Sequence, residues 1–173
     1  MGIVTKTGDD GFTGVIGGKR LPKDHPILEC LGVIDELSAF LGEAKAAIAD
    51  ARRSAEIIGE IQKDLIRLMG VIAGTPVPDN GLGEDRLDNL IEKLELEMQA
   101  AESPPSMPAV PGANPVSAKL HTARTVCRRA ERRLVGLYRV ENIDASVIRY
   151  INRLSDLLFL LAQQSASEIP VQA

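Results

Sequence analysis

The sequence predicts an all-α protein, a five-helix bundle with an extended N-terminal arm. Apolar residues recur at spacings of three and four over five separate stretches, and prolines and glycines concentrate between those stretches. No stretch shows the alternating pattern of a convincing strand. The 173 residues are 45% hydrophobic, which suffices for one core. We therefore expect a single domain over residues 1–173, with residues 1–25 as the arm and residues 26–166 as the helices.

The arm is rich in glycine, threonine and charged residues, with turn signals at Asp10-Gly11 and Gly17-Gly18. Its segment TKTGDDGFTG, residues 5–14, combines glycines that permit close backbone approach with hydroxyl groups and a lysine. This composition is typical of a loop that binds phosphate. GGKR at 17–20 lacks the hydroxyl residue of a Walker A motif, however, and a flexible terminus is the alternative interpretation.

The first two helices are predicted at about residues 27–50 and 53–73, followed by a Pro- and Gly-rich loop at 75–83. Each helix has an apolar stripe that should face the core. The stripes are Ile27, Cys30, Leu31, Ile34, Leu37, Leu41 and Ala44 in the first helix, and Ile57, Ile58, Ile61, Leu65 and Leu68 in the second.

The third helix is predicted from Glu84 to about Ala101, and five prolines keep residues 103–115 non-helical. The fourth helix follows this loop, and the fifth runs from about residue 145 to 166. The predicted core positions are Leu87, Leu90, Ile91, Leu94 and Met98; then Leu120, Ala123, Cys127, Ala130, Leu134 and Leu137; then Ile148, Ile151, Leu154, Leu158 and Leu161.

An arginine stripe on the fourth helix is the main candidate for function. Arg124, Arg128 and Arg132 are four residues apart, so they are neighbours on the helix and repel one another. The protein as a whole is acidic, with a net charge of −4, so this positive charge is local. Because the guanidinium group binds phosphate and carboxylate oxygens bidentately, the stripe predicts anion binding. A solvated helix face is the alternative.

Polar residues elsewhere suggest partners rather than catalysis. Asn152 and Asp156 share a helix face beside apolar residues and predict hydrogen bonds between helices, or a place in a site. Asp35 and Glu36 form either a surface pair or counter-charges for arginines. His25, His121, Cys30 and Cys127 show no metal-ligand spacing, and the two cysteines are predicted in the core. We therefore predict no protein metal site.

Composition also argues against several classes of protein. An acidic chain with only five aromatic residues is a poor candidate for a nucleic-acid-binding helical protein. The N-terminus has no secretory apolar region, and the apolar run at 157–162 is too short to cross a membrane. Two cysteines make no disulfide framework, which favours a reducing compartment. We expect a cytoplasmic protein that binds neither membrane nor nucleic acid.

Five motifs in order resemble the ATP:cob(I)alamin adenosyltransferases, of the trimeric helical-bundle type found in propanediol utilisation. They are TKTGDDGFTG, GGKRLPKDHP, GVIDELSAFLG, LHTARTVCRRAERR and YINRLSDLLF. The resemblance implies transfer of the 5′-deoxyadenosyl group of ATP to the cobalt of cob(I)alamin, giving adenosylcobalamin and triphosphate. It also implies a homotrimer with sites between subunits, Mg²⁺ on the nucleotide, and possible contact with a cobalamin reductase and an acceptor enzyme.

The resemblance further implies roles for individual residues. The arm would wrap ATP, with Lys23 at the phosphates, and Asp35 of one chain would pair with Arg128 of the next. Asp35, Arg128 and Arg132 would be catalytic. The nucleotide-binding residues would be Thr5, Lys6, Thr7, Gly8, Thr13, Gly14, Lys23, Arg128, Arg129, Glu131, Arg132 and Asn152.

One departure from the family concerns the corrinoid. The family usually has a phenylalanine three residues before the Pro-Gly that precedes the fourth helix, where this chain has Pro108. We hypothesise that Met107 supplies the apolar wall instead. A non-catalytic sensor or chaperone that binds ATP or a corrinoid is the alternative function.

Overall fold

The computed structural model describes residues 6–16, 18–48, 52–100 and 110–167. Five α-helices occupy most of this length. They are α1 (Pro26–Ala47), α2 (Arg52–Ile72), α3 (Glu84–Gln99), α4 (Pro115–Tyr138) and α5 (Ala145–Ser167). The predicted helices therefore all form, with ends within about three residues of the expected positions. Within the described ranges, no helix has both the length and the apolar character needed to span a bilayer.

The arm contains a short β-hairpin that sequence analysis did not identify, beside the all-α bundle that it predicted. Strand β1 (Phe12–Gly14) pairs antiparallel with β2 (Arg20–Pro22), and Thr13 lies opposite Leu21. Three residues are too few to show an alternating pattern, so periodicity could not reveal these strands. The turn between them is closed by a hydrogen bond from the Val15 amide to the Lys19 carbonyl, at 2.9 Å.

Two helices begin with a side-chain cap followed by proline. The Nδ1 atom of His25 accepts a hydrogen bond from the Ile27 amide, ahead of Pro26. The Oδ1 atom of Asn114 accepts one from the Ser117 amide at 2.8 Å, ahead of Pro115. Each cap satisfies an amide that has no partner inside the helix, and proline at the first helical position costs nothing there. These caps explain why α1 and α4 start where they do.

Helix α4 lies at the centre of the bundle, packed against both α1 and α5. One hydrophobic cluster draws on all five helices, and most predicted core positions, such as Leu37, Leu65 and Leu158, are fully buried in it. Both cysteines are free and buried. Burial raises the pKa of the Cys30 thiol to about 11. A single cluster thus serves all five helices of the described chain, and the single domain over residues 1–173 stays a prediction.

A buried carboxylate joins α2, α3 and α5. Asp64 on α2 accepts hydrogen bonds from the Tyr150 hydroxyl at 2.9 Å and from Arg67 at 2.9 Å, and it also pairs with Arg86. Its side chain is only 3% exposed. Burial and the neighbouring Asp64 carboxylate raise the pKa of Tyr150, so the hydroxyl stays protonated and donates. Nothing in the sequence pattern predicted this network, because its members are far apart along the chain.

Candidate functional site

The two basic faces of α4 have different surroundings. On the face towards α1, Arg129 pairs with Glu36, and Arg133 lies 3.4 Å from Glu29. A third pair, Lys119 with Glu43 at 2.9 Å, extends the same row. The three glutamates recur every seven residues along α1, which is two helical turns, so they form a row along one face of the helix. These pairs form the α1–α4 ladder, and they confirm that Glu36 is a counter-charge for an arginine.

The other face carries the stripe of Arg124, Arg128 and Arg132. Arg128 and Arg132 are exposed, and neither side chain makes an ion pair or hydrogen bond within the described part of the chain. The same holds for the exposed Asp35 carboxylate on α1. The chain thus leaves two guanidinium groups of the stripe available to a ligand or to another subunit, while the ladder neutralises Arg129 and Arg133.

An apolar cleft lies beside the stripe, between α3, α4 and α5. Its volume is about 580 Å³. Two stripe arginines, Arg124 and Arg128, border it, together with Asp156 and Phe159 of α5. The guanidinium of Arg124 stacks over the Phe159 ring at 5.9 Å. A mainly apolar cleft with a few charged groups at its edge is the usual form of a site for a small organic molecule.

Behind this cleft, His121 is buried without polar partners. Both ring nitrogens lack hydrogen-bond partners among the described residues, as does the Nε atom of Arg124. The His121 ring packs edge-on against Phe159, with ring centres 6.1 Å apart. Burial, aided by the nearby Arg124 charge, lowers the pKa of His121, so the imidazole is neutral at pH 7.

Asn152 joins α5 to α4, as a hydrogen bond between helices was expected to do. Its side-chain amide donates to Glu131 at 3.2 Å, and its oxygen accepts from Arg153 at 3.3 Å. Two residues named for the nucleotide site, Glu131 and Asn152, are therefore in direct contact.

The arm brings its lysine next to its glycine-rich turn. A Cβ atom on Gly8 would lie 3.1 Å from the Lys23 ammonium group and 3.4 Å from the Phe12 carbonyl oxygen, so a side chain there would push the lysine aside. Thr13 and Gly14 lie on β1. Lys6 has a φ of 56°, a left-handed conformation that is rare without glycine. Such backbone strain occurs mostly at binding sites.

A second cleft, of about 600 Å³, connects the arm to the end of the stripe. It is lined by Asp24 after the hairpin, by Glu29 and Cys30 of α1, and by Arg132 and Arg133 of α4. The stripe therefore runs from the first cleft, at Arg124 and Arg128, to this second cleft at Arg132, where charged and apolar groups are mixed. One extended ligand with an apolar part and an anionic part would fit the apolar cleft with one end and the stripe arginines with the other.

Some predicted residues lie outside the described ranges, namely Thr5, Met107 and Pro108. The hypothesis about the Met107 wall is therefore still a prediction. In the described part of the chain, no three His, Cys, Asp or Glu side chains cluster as ligands for a metal ion.

Sequence analysis did not single out Arg20, which the structure places at the centre of the arm. Its only signal was its position beside the glycines at 17–18.

Comparison with known proteins places the chain in a family. A family model for cobalamin adenosyltransferase matches residues 3–165. The chain belongs to that family. Over 168 residues it is 39% identical to a corrinoid adenosyltransferase of Bacillus subtilis, covering 94% of this chain and 86% of the relative. Over 173 residues it is 36% identical to human corrinoid adenosyltransferase MMAB, covering 95% of this chain and 68% of the relative.

A solved structure is similar in fold along nearly the whole chain. It is a variant of a PduO-type ATP:corrinoid adenosyltransferase from Lactobacillus reuteri, complexed with cobalamin and ATP. The TM-score is 0.84 at 32% identity, and the match covers 96% of this chain and 94% of the other. Family membership and fold thus agree with the resemblance that the five motifs carried.

Proposed function

We propose that the arginine stripe, the arm and the apolar cleft form the site at which this chain transfers the 5′-deoxyadenosyl group of ATP to the cobalt of a corrinoid. The transfer itself is the activity of the family to which the chain belongs. The observation that supports this site is the pair of exposed guanidinium groups, Arg128 and Arg132, which form no ion pair within the described chain. Triphosphate supplies the missing negative charge.

The chemistry requires positioning and charge stabilisation rather than proton transfer. The cobalt(I) centre of the substrate donates an electron pair to C5′ of the ribose, a Co–C bond forms, and the C5′–O bond breaks. The bonding pair leaves on the oxygen of triphosphate. Guanidinium groups placed where this charge develops lower the barrier, and holding the reactants in line supplies much of the rest.

The two parts of the substrate pair fit different surfaces. The charged end of ATP suits Lys23, Arg128, Arg132 and the glycine-rich turn. The apolar cleft with Phe159 suits the face of a corrin ring, because it offers mainly hydrophobic surface. Mg²⁺ would arrive bound to phosphate oxygens, since it needs few protein ligands.

A homotrimer with sites between subunits completes the proposal. Asp35 is exposed and unpaired in the described chain, and so is Arg128, so a contact between subunits would neutralise both. A reductase that supplies cobalt(I), and an enzyme that accepts adenosylcobalamin, would be further partners. The free cysteines agree with a reducing, cytoplasmic setting. Sedimentation of the wild type and of Asp35→Ala tests the trimer: the wild type should sediment as three chains, and the variant should dissociate at a higher concentration.

Adenosylation of chemically reduced cobalamin tests the function. The wild type should convert the cobalt(I) spectrum to that of an alkylcobalamin only when ATP is present. Arg132→Ala should reduce the rate strongly, whereas Arg133→Ala, which removes the same charge from the paired face of α4, should not. If ATP binds but no alkylcobalamin forms, the chain is a sensor or chaperone and not an enzyme.

A further inference from the structure

Arg20, on strand β2, joins three parts of the arm. Its guanidinium donates a hydrogen bond to the Thr7 carbonyl at 2.7 Å and pairs with both carboxylate oxygens of Asp10, at 2.8 and 3.0 Å. It also lies over the Phe12 ring at 5.9 Å. The Asp10 carboxylate in turn accepts a hydrogen bond from the Phe12 amide at 3.1 Å. We name this set of contacts the Arg20 clasp.

The clasp closes the turn at residues 6–11, which lies over Lys23. The turn begins with the left-handed Lys6, and its amides at Asp9 and Gly11 bond back to the carbonyls of Lys6 and Gly8 at 3.3 Å. A hydrogen bond of 2.9 Å from the Lys23 amide to the Gly11 carbonyl fixes the lysine beneath it. A strained turn on the surface keeps its shape only if surrounding contacts enforce it. Arg20 is the side chain that bonds to both the start and the middle of the turn.

The geometry of the contacts explains why an arginine stands here. One terminal nitrogen, Nη2, donates to both the Thr7 carbonyl and the Asp10 carboxylate, while the guanidinium lies over the Phe12 ring, a stacking contact that suits its planar shape better than a lysine ammonium. Hydrogen bonds from the Phe12 amide and from Arg20 hold the pKa of Asp10 below its ordinary value, so the carboxylate is ionised at neutral pH. The Arg20 charge is therefore already paired within the arm, in contrast to the charges of Arg128 and Arg132.

We propose that Arg20 is a positioning residue for nucleotide binding: through Thr7 and Asp10 it holds the 6–11 turn over Lys23 in the shape that receives the phosphates of ATP. This inference rests on the proposed function, which assigns the arm to ATP. Because the turn is pre-formed by the clasp, ATP binding does not have to include the cost of ordering it. Loss of the clasp should therefore weaken ATP binding and leave the chemical step intact.

The test compares Arg20→Met with Lys19→Met, a matched control that removes one exposed cation from the neighbouring residue of the hairpin. The KM for ATP, and the ATP dissociation constant from calorimetry, should rise about tenfold in Arg20→Met, the scale of one lost hydrogen bond to a charged group. Its kcat, its KM for the corrinoid and the melting temperature of the bundle should stay at wild-type values. Arg20→Lys should recover only part of the affinity. Equal ATP affinity in Arg20→Met and Lys19→Met overturns the proposal.

Asp10→Asn separates positioning from direct contact with phosphate. If Arg20 acts through the turn, Asp10→Asn weakens ATP binding as well, and the double variant is no weaker than Arg20→Met alone. If Arg20 itself binds phosphate, Asp10→Asn releases it and binding is unchanged or tighter, which overturns the proposal.

Lys23→Met distinguishes a failure of this inference from a failure of the proposed function. If Lys23→Met binds ATP more weakly and Arg20→Met binds it as the wild type does, ATP still binds in the arm. Only the positioning role of Arg20 is then overturned. Wild-type binding in both variants shows that the arm does not bind ATP, and the proposed site then fails together with the inference.

Discussion

The two basic faces of α4 carry similar charges and have opposite surroundings. Towards α1, Arg129 and Arg133 meet glutamates, and the ladder joins two helices. On the other face, Arg128 and Arg132 form no ion pair within the described chain, although each lines a cleft that also holds carboxylates. The difference shows that the arginines of one run on a helix need not share one role, because the packing of the neighbouring helices decides which of them are paired. The paired half of the run belongs to the architecture, and the unpaired half is available for ligands.

The largest effect is expected at Asp64, whose carboxylate is buried although its two arginine partners are partly exposed. Asp64→Ala leaves the buried Tyr150 hydroxyl without its partner, and an unpaired buried polar group typically costs about 1–3 kcal/mol. Urea unfolding should show this loss of stability. The control, Glu36→Ala, cuts a pair of the exposed ladder and should lose under about 1 kcal/mol. Equal losses of unfolding free energy in the two variants would mean that burial does not determine how much these pairs stabilise the protein.

Substitutions on α4 itself test whether pairing separates the two faces. Arg132→Met should reduce kcat/KM for adenosylation by about 10²–10³-fold, as loss of one charge-stabilising donor does, without a change in melting temperature. Arg129→Met should lose less, because its charge is already shared with Glu36. Steady-state kinetics with reduced cobalamin measures both. Equal losses of activity in the two variants would contradict this comparison, because Arg129 would then contribute to the site despite its ion pair with Glu36.

His121 provides a prediction about pH, because it lies on α4 behind the unpaired face. Its pKa is lowered in the folded protein from an ordinary value of 6.5, so below about pH 6.5 the unfolded chain binds a proton that the native state does not. The free energy of unfolding should therefore fall as the pH drops below that value, and be unaffected by His121 above it. Unfolding curves between pH 5 and 8 measure the slope. His121→Phe should flatten it, and His25→Asn, which keeps a capping residue, should not.

The smallest effect is expected when one ladder residue loses its charge but keeps the shape of its side chain. Glu36→Gln frees Arg129 from its ion pair, and such exposed pairs contribute under about 1 kcal/mol. Stability should change by less than that amount, and adenosylation by less than twofold. Thermal melting at low and high salt provides the measurement: the wild type should be slightly more salt-sensitive than the variant. A large loss of activity would show that the ladder positions the stripe.

The helices and their inner faces could be predicted because their signals are local. Leu37 and Leu41 are buried where the spacing of apolar residues placed them, and α1 and α4 begin at the prolines that end the preceding loops. The hairpin of the arm was missed because its strands are three residues long. Asp64 was missed because a lone aspartate on a helix gives no sign that a tyrosine 86 residues away will donate to it.

Periodicity, capping residues and breakers determined the five helices, and residue type determined that an arginine stripe would exist. These properties depend only on neighbouring residues of one helix, so the amino-acid sequence alone determines them. Whether each arginine is paired depends on which helix packs beside it and in which register. That was decided by the burial of apolar faces across the whole bundle, which set Glu29 and Glu36 against one side of α4 and left Arg128 and Arg132 open on the other.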